Sequence, residues 1–351
     1  MSHVNGPGMK VIRGYHEVRA ALRDVETYSS DLQGDADVRD YRQIPLEIDP
    51  PGHHSYRTAL GPYFVKPAVE KYLAEFEAHT EELVTRYFLE NDHDAISKMV
   101  LPIVMKNLGT LYRRPQDVEE WISWGPDVWK AASEVRDGKV LHDYLNRVYD
   151  EAIQNPTDDI WSEIARIEIE TKTISEIEFR GIAGVMLAGG RDTVVKLFSG
   201  MLWHFGNFPS DLELVRSDPN SIPNAIQEFL RFLTPLPQMA RTTTPESLTS
   251  DLPDNRYVGI SFISANFDES VFSNPFKVDL LRDKNRHLSF GFGPHTCLGN
   301  HITEIEARVF LQTIANLNFY WKVDSSDIDF HEEPYSPVPE TFKRLFLSPR
   351  I

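Results

Sequence analysis

The feature that most constrains this chain is a loop at residues 290–299, FGFGPHTCLG, which contains its only cysteine. After Cys297, apolar residues recur at helical spacing, so the cysteine stands at or just before the beginning of a helix. Amide N–H groups and the positive end of a helix dipole stabilise an anionic sulfur at such a place. Gly291 and Gly293 let the backbone bend tightly and approach a flat ligand without a Cβ clash. The loop therefore predicts a cysteine that can bind a metal as a thiolate.

Three other interpretations of this loop were weighed from the residues alone. A dinucleotide fingerprint would need a third glycine, and Thr296 stands in its place. A zinc ion held by Cys297, His295 and His301 is an alternative, because Cys297 and His301 share one helix face, but no second cysteine supports it. A lone cysteine can also be an inert buried thiol. The flanking residues have to decide between these interpretations.

Those residues resemble the cysteine-ligand loop of the cytochrome P450 haem-thiolate family. The specified positions of that pattern are filled here by Phe290, Gly291, Gly293, His295, Cys297 and Gly299. The resemblance implies that Cys297 is the axial ligand of haem b, iron protoporphyrin IX, and that electron donation from its sulfur favours cleavage of the O–O bond. It also implies that His295 hydrogen-bonds a haem propionate.

A long apolar segment from residue 176 to about 205 has helical spacing and contains two adjacent glycines, Gly189 and Gly190. A glycine inside a helix costs about 1 kcal/mol relative to alanine, so the pair needs a reason. Close helix packing is one reason. The other is that residues 189–193, GGRDT, resemble the family's distal helix, in which the glycines make room for dioxygen above the haem.

The same segment supplies the predicted catalytic pair, Asp192 and Thr193. Val185, Gly189 and Thr193 are spaced four apart and share one helix face, which would look towards the iron. The resemblance implies that Asp192 and Thr193 relay protons from solvent during dioxygen activation. Without the resemblance, such a pair is usually a solvated turn or a hydroxyl bonded back to the helix.

Two charged residues, Glu228 and Arg231, are three apart on a helix that ends before Pro235. Such pairs are usually weak surface salt bridges. Their order along the chain matters, because they follow the distal segment and precede residues 274–282, which resemble the family's meander. The resemblance implies a buried structural network of Glu228, Arg231 and Arg282 that holds the proximal side of the haem.

A fourth match starts at Asp49 and resembles the family's Asp-Pro-Pro turn into a helix. His53 and Arg57 are four apart and would share a helix face. The resemblance implies that they bind a propionate, with His54 as the competing candidate. Arg241 matches another propionate contact, and the planar guanidinium fork suits a carboxylate.

Helical periodicity dominates the chain, for example over residues 69–88 and 141–164. Strand patterns are few and late, with alternation at residues 257–265 and a short run at 345–347. We therefore predict a mainly α fold with a small β region, with the haem between the distal helix and the cysteine loop. Residues 1–351 are expected to form one catalytic domain, with strands mostly near the N-terminus and at residues 235–270 and 330–351.

Composition excludes several classes of protein. The formal net charge of −17 argues against binding of nucleic acid or of anionic membranes. No apolar stretch of membrane-spanning length and no signal peptide is present, so no membrane anchor is expected. A single cysteine precludes an internal disulfide and fits a reducing compartment. We expect a cytoplasmic protein without a fused reductase.

The activity that the resemblance implies is monooxygenation. Electrons from NAD(P)H would arrive through a reductase and a ferredoxin or flavodoxin, and one atom of dioxygen would enter a small organic substrate by hydroxylation, dealkylation or a related oxidation. A peroxide-driven enzyme, or a non-catalytic haem protein such as a ligand sensor, is the alternative. Asp192 and Thr193 favour the dioxygen route, because neither alternative needs a proton relay.

At 351 residues the chain is short for this family, and the missing length falls in two places. The segments between Ser30 and Asp49 and between Trp124 and Asp158 leave little room for the elements that usually roof the distal pocket. We therefore expect a distal pocket that is unusually open to solvent. The sequence does not predict a substrate class.

Overall fold

The computed structural model describes residues 10–32, 41–90, 94–125, 139–243 and 257–350. Most of them are helical, and short strands form three small sheets. The helices are α1 (Tyr15–Ala21), α2 (Gly52–Leu60), α3 (Lys66–Glu70), α4 (Leu73–Glu90), α5 (Leu101–Leu111), α6 (Val118–Ser123), α7 (Lys139–Gln154), α8 (Ile160–Ile164), α9 (Glu176–Asn207), α10 (Pro209–Ser217), α11 (Ile222–Leu233), α12 (Phe262–Asn266) and α13 (Asn300–Ala315). The prediction of a mainly α fold with a small β region is confirmed.

The strands are β1 (Lys10–Ile12), β2 (Tyr28–Ser29), β3 (Glu168–Ile169), β4 (Lys172–Thr173), β5 (Gln238–Thr243), β6 (Tyr257–Ser261), β7 (Trp321–Phe330) and β8 (Pro339–Pro349). One sheet has the order β1-β6-β5-β2, in which only β1 and β6 run parallel. β7 and β8 form an antiparallel pair, and so do β3 and β4. The first sheet holds β5, and with it Arg241, next to the segment around Ser30.

The prediction of a strand over residues 257–265 is half wrong. β6 ends at Ser261, and the chain turns directly into α12. The Ser261 side chain accepts a hydrogen bond from the Ser264 amide and so caps the new helix. The apolar alternation continues past residue 261, but this cap and the burial of every α12 side chain override it.

The helix α9 spans 32 residues and crosses the centre of the molecule. It begins with a capping box in which Ser175 and Glu178 satisfy each other's backbone amides, and it ends before Pro209. Most of its residues are buried, and it packs on α5, α7, α11 and α13. Phe198 of α9 stacks on Phe310 of α13, with ring centroids 4.2 Å apart. This packing holds α9 opposite the loop that leads into α13.

Residues 33–40 and 126–138 lie outside the described residues, and both belong to the segments predicted to be short. The described part of the first segment packs tightly on α9. The Ile44 amide donates to the Gly181 carbonyl at 3.3 Å, and a Cβ at Gly181 would lie 2.2 Å from the Arg42 carbonyl oxygen. This segment is therefore fixed to α9 at Gly181, while the openness of the pocket stays a prediction. Within the described ranges no helix is both long and apolar enough to cross a membrane.

Candidate functional site

A cavity of about 230 Å³ lies between α9 and the loop before α13. Its wall is mainly apolar. Most of the predicted site residues border it: His53 and Arg57 from α2, Gly189, Gly190 and Thr193 from α9, Arg241 from β5, and Phe290, Gly291, His295, Cys297 and Gly299 from the loop. Sequence positions nearly 250 residues apart thus meet at one site.

Cys297 stands at the centre of the loop wall. The loop is closed by a hydrogen bond from its amide to the Phe290 carbonyl at 2.8 Å, and α13 begins three residues later. The thiol surface is accessible, but it faces the cavity. Burial raises the pKa of the Cys297 thiol, although the Gly299 amide and the Arg57 guanidinium lower it. The amide at the helix end therefore favours the thiolate as expected, but burial of the thiol opposes it. A metal cation bound there would deprotonate the thiol.

The two loop glycines have different roles. Both have positive φ angles, 71° at Gly291 and 78° at Gly293, which favour glycine. Gly291 borders the cavity. Gly293 does not, because it faces α1, where a Cβ would lie 2.8 Å from the Leu22 carbonyl oxygen. The close approach at Gly293 is thus to protein backbone and not to a ligand.

The glycine pair on α9 divides in the same way. A Cβ at Gly190 would lie 2.9 Å from the Leu108 side chain, which supports the packing interpretation for that glycine. A Cβ at Gly189 would meet no protein atom within 4 Å and would project into the cavity. Gly189 therefore leaves open a space that a ligand can occupy.

We expect Gly189→Ala to leave the fold intact and to stabilise α9 by up to about 1 kcal/mol, because alanine is the better helix former. The added methyl group would narrow the cavity, so the affinity for ligands that shift the haem Soret band should fall. Gly184→Ala, whose Cβ would have ordinary contacts at 3.6 Å, is the matched control on the same helix. Equal ligand affinities in both variants would contradict the assignment of Gly189 to the ligand space.

Four basic side chains, His53, Arg57, Arg241 and His295, gather at one end of the cavity. The His53 and His295 rings lie 4.2 Å apart, and Ser30 Oγ is 3.0 Å from His295 Nε2. Burial is the largest cause that lowers the pKa of His53 to about 4, of His295 to about 3 and of Arg241 to about 10. Burial also lowers the pKa of Arg57. Burial therefore disfavours the charged forms of four basic side chains that the fold brings together at this end of the cavity.

An anionic ligand at this end of the cavity would stabilise the charged forms of these side chains. His53 Nε2 is buried without a hydrogen-bond partner among the described residues, and Arg57 Nη1 donates to the Thr296 carbonyl at 2.7 Å. The neighbouring His54 is exposed, so the structure places His53 and not His54 at the cavity. A flat cofactor with two carboxylates fits these donors, with Cys297 beneath it and the open space at Gly189 above. Haem b has this shape and charge.

Asp192 and Thr193 lie on different sides of α9. Thr193 borders the cavity, and its hydroxyl donates to the Gly189 carbonyl at 3.0 Å. This is the back-bonded arrangement, and it leaves the oxygen lone pairs of Thr193 available to accept a bond from a proton donor. The Asp192 side chain is 55% exposed and lies 2.8 Å from Arg191. Asp192 thus faces solvent, and Thr193 faces the cavity.

Glu228, Arg231 and Arg282 form one buried cluster away from the cavity. The Glu228 carboxylate accepts from Arg231 Nε and Nη2, both at 2.8 Å, and from Arg282 Nε at 2.9 Å. The Asp279 amide and the Asn285 side chain also donate to it at 2.9 Å each. Glu228 and Arg231 are fully buried. The cluster ties α11 to the segment that precedes the cysteine loop.

The zinc alternative finds no support. Within the described ranges no group of three or more histidine, cysteine, aspartate or glutamate side chains could hold a metal ion. His301 points outward, with 44% of its side chain exposed, and its Nδ1 is 3.9 Å from Glu304.

Sequence reasoning missed several groups at this site, above all Glu306. Glu306 borders the cavity and is 2% exposed. A signal was present, because Ile302, Glu306 and Val309 follow the spacing of the buried face of α13. The contact between Ser30 and His295 carried no such signal, because the two residues are 265 positions apart.

Comparisons with known proteins agree with this geometry. The family profile "Cytochrome P450" matches residues 221–341. A probable cytochrome P450 127A1 from Sinorhizobium fredii is 28% identical, over 88% of this chain and 76% of the relative. A steroid C26-monooxygenase from Mycobacterium tuberculosis is 26% identical, over 88% and 86%. The solved structure of a carbohydrate active P450 has a TM-score of 0.88 and 28% identity, over 96% of this chain and 92% of that one.

A helical fold around a cavity that is bordered by one cysteine, four basic side chains and Thr193 is the arrangement expected of a haem-thiolate protein. The profile match, the curated relatives and the shared fold together support a bacterial-type cytochrome P450 monooxygenase that binds haem b. Relatives named as a monooxygenase and as an epoxidase support an enzyme and not a ligand sensor.

Proposed function

We propose that residues 1–351 form one catalytic domain that inserts one atom of dioxygen into a small organic substrate, with electrons from separate redox proteins. The observation that carries this proposal is the meeting of Cys297, four basic side chains and Thr193 around one cavity. When bound there, the haem supplies the redox chemistry that activates dioxygen. The remaining work belongs to the side chains around it.

Cys297 holds the iron, and His53, Arg57, Arg241 and His295 bind and orient the propionates. The Arg57 guanidinium serves two purposes, because it also bonds the carbonyl of Thr296, next to the ligand. The buried cluster of Glu228, Arg231 and Arg282 fixes the segment that leads into the ligand loop. These contacts keep the loop in place when the cofactor binds.

Asp192 receives a proton from solvent at its exposed carboxylate, water carries the proton into the cavity, and the Thr193 oxygen accepts a hydrogen bond that positions that water. The back bond to Gly189 holds the Thr193 hydroxyl on the cavity wall. This relay supports dioxygen as the oxidant, because peroxide brings its own protons.

We expect Thr193→Ala to keep haem content and folding while product formation falls by about 10²-fold, the lower end for a positioned proton donor. Consumption of electrons should fall much less, so that product formed per NAD(P)H consumed decreases. Asp192→Asn should slow both processes. Thr193→Ser keeps the hydroxyl and is the matched control. Unchanged product yield in Thr193→Ala and Asp192→Asn would remove both residues from the catalytic group.

The electron donor is a ferredoxin or flavodoxin with its NAD(P)H reductase. Two arginines next to the ligand loop support an acidic partner. The Arg19 and Arg23 guanidinium carbons lie 4.3 and 5.1 Å from the centre of the Phe292 ring. Two positive charges beside the ligand loop, on α1 and just after it, stand out in a chain whose formal charge is −17. They would steer a negatively charged protein towards Cys297.

Arg23→Glu should reduce the rate of electron transfer from an acidic ferredoxin by roughly tenfold at low ionic strength, the lower end for electrostatic steering. The loss should shrink as salt is added, because Arg23 is exposed and its field is screened. Stopped-flow reduction measures this rate. Arg147→Glu, an exposed arginine on α7, is the control and should have little effect. Equal losses in both variants would place the docking surface elsewhere.

The oxidised part of the substrate should be uncharged and largely apolar, because the cavity wall near α9 and residues 44–46 is apolar. Titration of the haem-loaded enzyme with carbohydrates and steroids, two classes named among the relatives, should identify binders through a Soret shift. Turnover of a binder under ¹⁸O₂ should place one labelled atom in the product. Loss of NAD(P)H without labelled product for every binder would contradict the proposed function.

A further inference from the structure

Among the described residues, one acidic side chain, Glu306, borders the cavity, and it lies on the helix that follows Cys297. Glu306 lies on α13, nine residues after the cysteine, and is 2% exposed. Neither of its carboxyl oxygens has a direct hydrogen-bond partner among the described residues. A buried carboxyl group without a partner is costly unless it is neutral or solvated by ordered water. Nothing in the proton relay of α9 uses this group.

A polar route leads from Glu306 to the protein surface. Asn107 on α5 is 1% exposed, and its side chain lies close enough to lower the pKa of Glu306 against the larger effect of burial. Asn107 Oδ1 is 3.3 Å from His79 Nδ1 on α4. His79 is only half-buried, and it lies beside the surface ion pair of Lys106 and Glu82. The route passes α5 and reaches the surface at α4, whereas Asp192 lies on α9.

Burial dominates the electrostatics of this acid, and it raises the pKa of Glu306 to about 8. The Tyr112 phenol, just after α5, is close enough for Glu306 to affect its pKa, and His79 on α4 contacts Asn107. The α9 residues on the cavity wall, Gly189, Gly190 and Thr193, carry no charge. The basic groups of the cavity are His53, Arg57, Arg241 and His295, and they do not shift the pKa of Glu306. Burial thus favours the neutral form of Glu306.

We propose that Glu306 is a proton-binding site coupled to the redox state of the cavity, and that water molecules beside the polar side chains of His79 and Asn107 carry its proton from solvent. The proposal rests on the haem site described above. When the redox partner delivers one electron, the cavity gains one negative charge, and the ionised fraction of Glu306 takes up one proton from solvent. The proton neutralises the carboxylate, and no other bond changes. In this way the acid makes reduction easier at lower pH.

The sign of the effect follows from the charge of Glu306. An ionised carboxylate beside the cofactor disfavours an added electron, so the midpoint potential should fall as pH rises through the pKa of Glu306. Below that range Glu306 is neutral in both redox states, and the potential should be level. Reduction should therefore be accompanied by proton uptake only at pH values near the pKa.

The test is spectroelectrochemical titration of the haem-loaded enzyme between about pH 6 and pH 10, a range that brackets the pKa of Glu306. The midpoint potential of wild type should fall across the upper half of this range. The midpoint potential of Glu306→Gln should not fall there, because the glutamine stays neutral. Glu304→Gln removes a carboxylate from the same helix at an exposed position and should behave as wild type. Identical pH profiles for wild type and Glu306→Gln would overturn the proposal. Haem content and the carbon monoxide spectrum report separately on the proposed haem site.

Two further measurements keep the proposal testable if Glu306→Gln binds haem poorly. Wild type should take up protons on reduction at pH 8, as read with a pH indicator in weak buffer, and should show an infrared carboxylic acid band that changes with redox state. His79→Gln should slow the proton uptake without changing the midpoint potentials. Absence of proton uptake in wild type, or unaltered uptake kinetics in His79→Gln, would each overturn it.

Discussion

Replacing Cys297 with serine should abolish the red-shifted Soret band that marks the reduced carbon monoxide adduct of a thiolate-ligated haem. Cys297 is the only cysteine of the chain, so no other thiol can replace it. The rate of product formation should fall on the order of 10³-fold, which corresponds to about 4 kcal/mol in the activation barrier. The physical reason is that a serine hydroxyl does not supply the electron donation that a thiolate gives to iron.

The control for this variant is Thr313→Ser, a conservative change on α13 away from the cavity. Thr313 Oγ1 bonds the Val309 carbonyl at 2.9 Å, and serine can keep that bond. Thr313→Ser should retain the band and the haem content of wild type. A wild-type spectrum typical of histidine ligation would contradict the assignment, because His295 borders the same cavity and burial keeps it neutral at pH 7.

Glu228→Gln should destabilise the haem-loaded protein by about 3–5 kcal/mol, the range for breaking a buried ion pair. The substitution keeps the shape of the side chain but removes the charge that compensates Arg231 and Arg282, which are 0% and 8% exposed in their side chains. Two guanidinium groups would then stay buried without a counter-charge. Equilibrium unfolding in denaturant, followed by the haem absorbance and by circular dichroism, measures the loss.

Glu120→Gln is the matched control for the loss of one carboxylate. Its partner Arg147 lies at 2.6 Å, but the side chains are 35% and 47% exposed, so the expected loss is below about 1 kcal/mol. Comparable losses in the two variants would show that the Glu228 cluster is solvated in solution. A large loss of stability with unchanged carbon monoxide spectrum would separate this structural role from ligation of the iron.

The local features of the site could be predicted because they depend on residues close together in the chain. The turn at Gly291 and the helix after Cys297 follow from backbone preferences and apolar spacing. The spacing of Gly189 and Thr193 put both on one face of α9, and both border the cavity. The pairing of Glu228 with Arg231 also lies within one helical turn. In each case the sequence interval itself sets the geometry.

Contacts between distant segments could not be predicted in this way. Gly293 is needed because the loop packs closely against the backbone of Leu22, just after α1. At Ser261, a side-chain cap begins a helix within a sequence that alternates as a strand would. The pKa of Cys297 is set by how much protein surrounds the thiol, and no local pattern reports that amount. Glu306 lies on an apolar face in the sequence, but only the packed structure places it at the same cavity as Cys297.

Periodicity and motifs therefore decided which groups are available and along which helix face they lie, because those properties repeat over a few residues. The tertiary structure decided which groups meet and how strongly each one is desolvated. Desolvation depends on every segment packed around a group, and the segments around this cavity come from positions 22 to 306. For that reason the chemistry of the ligand loop was readable in the sequence, while the protonation of Cys297 and Glu306 was not.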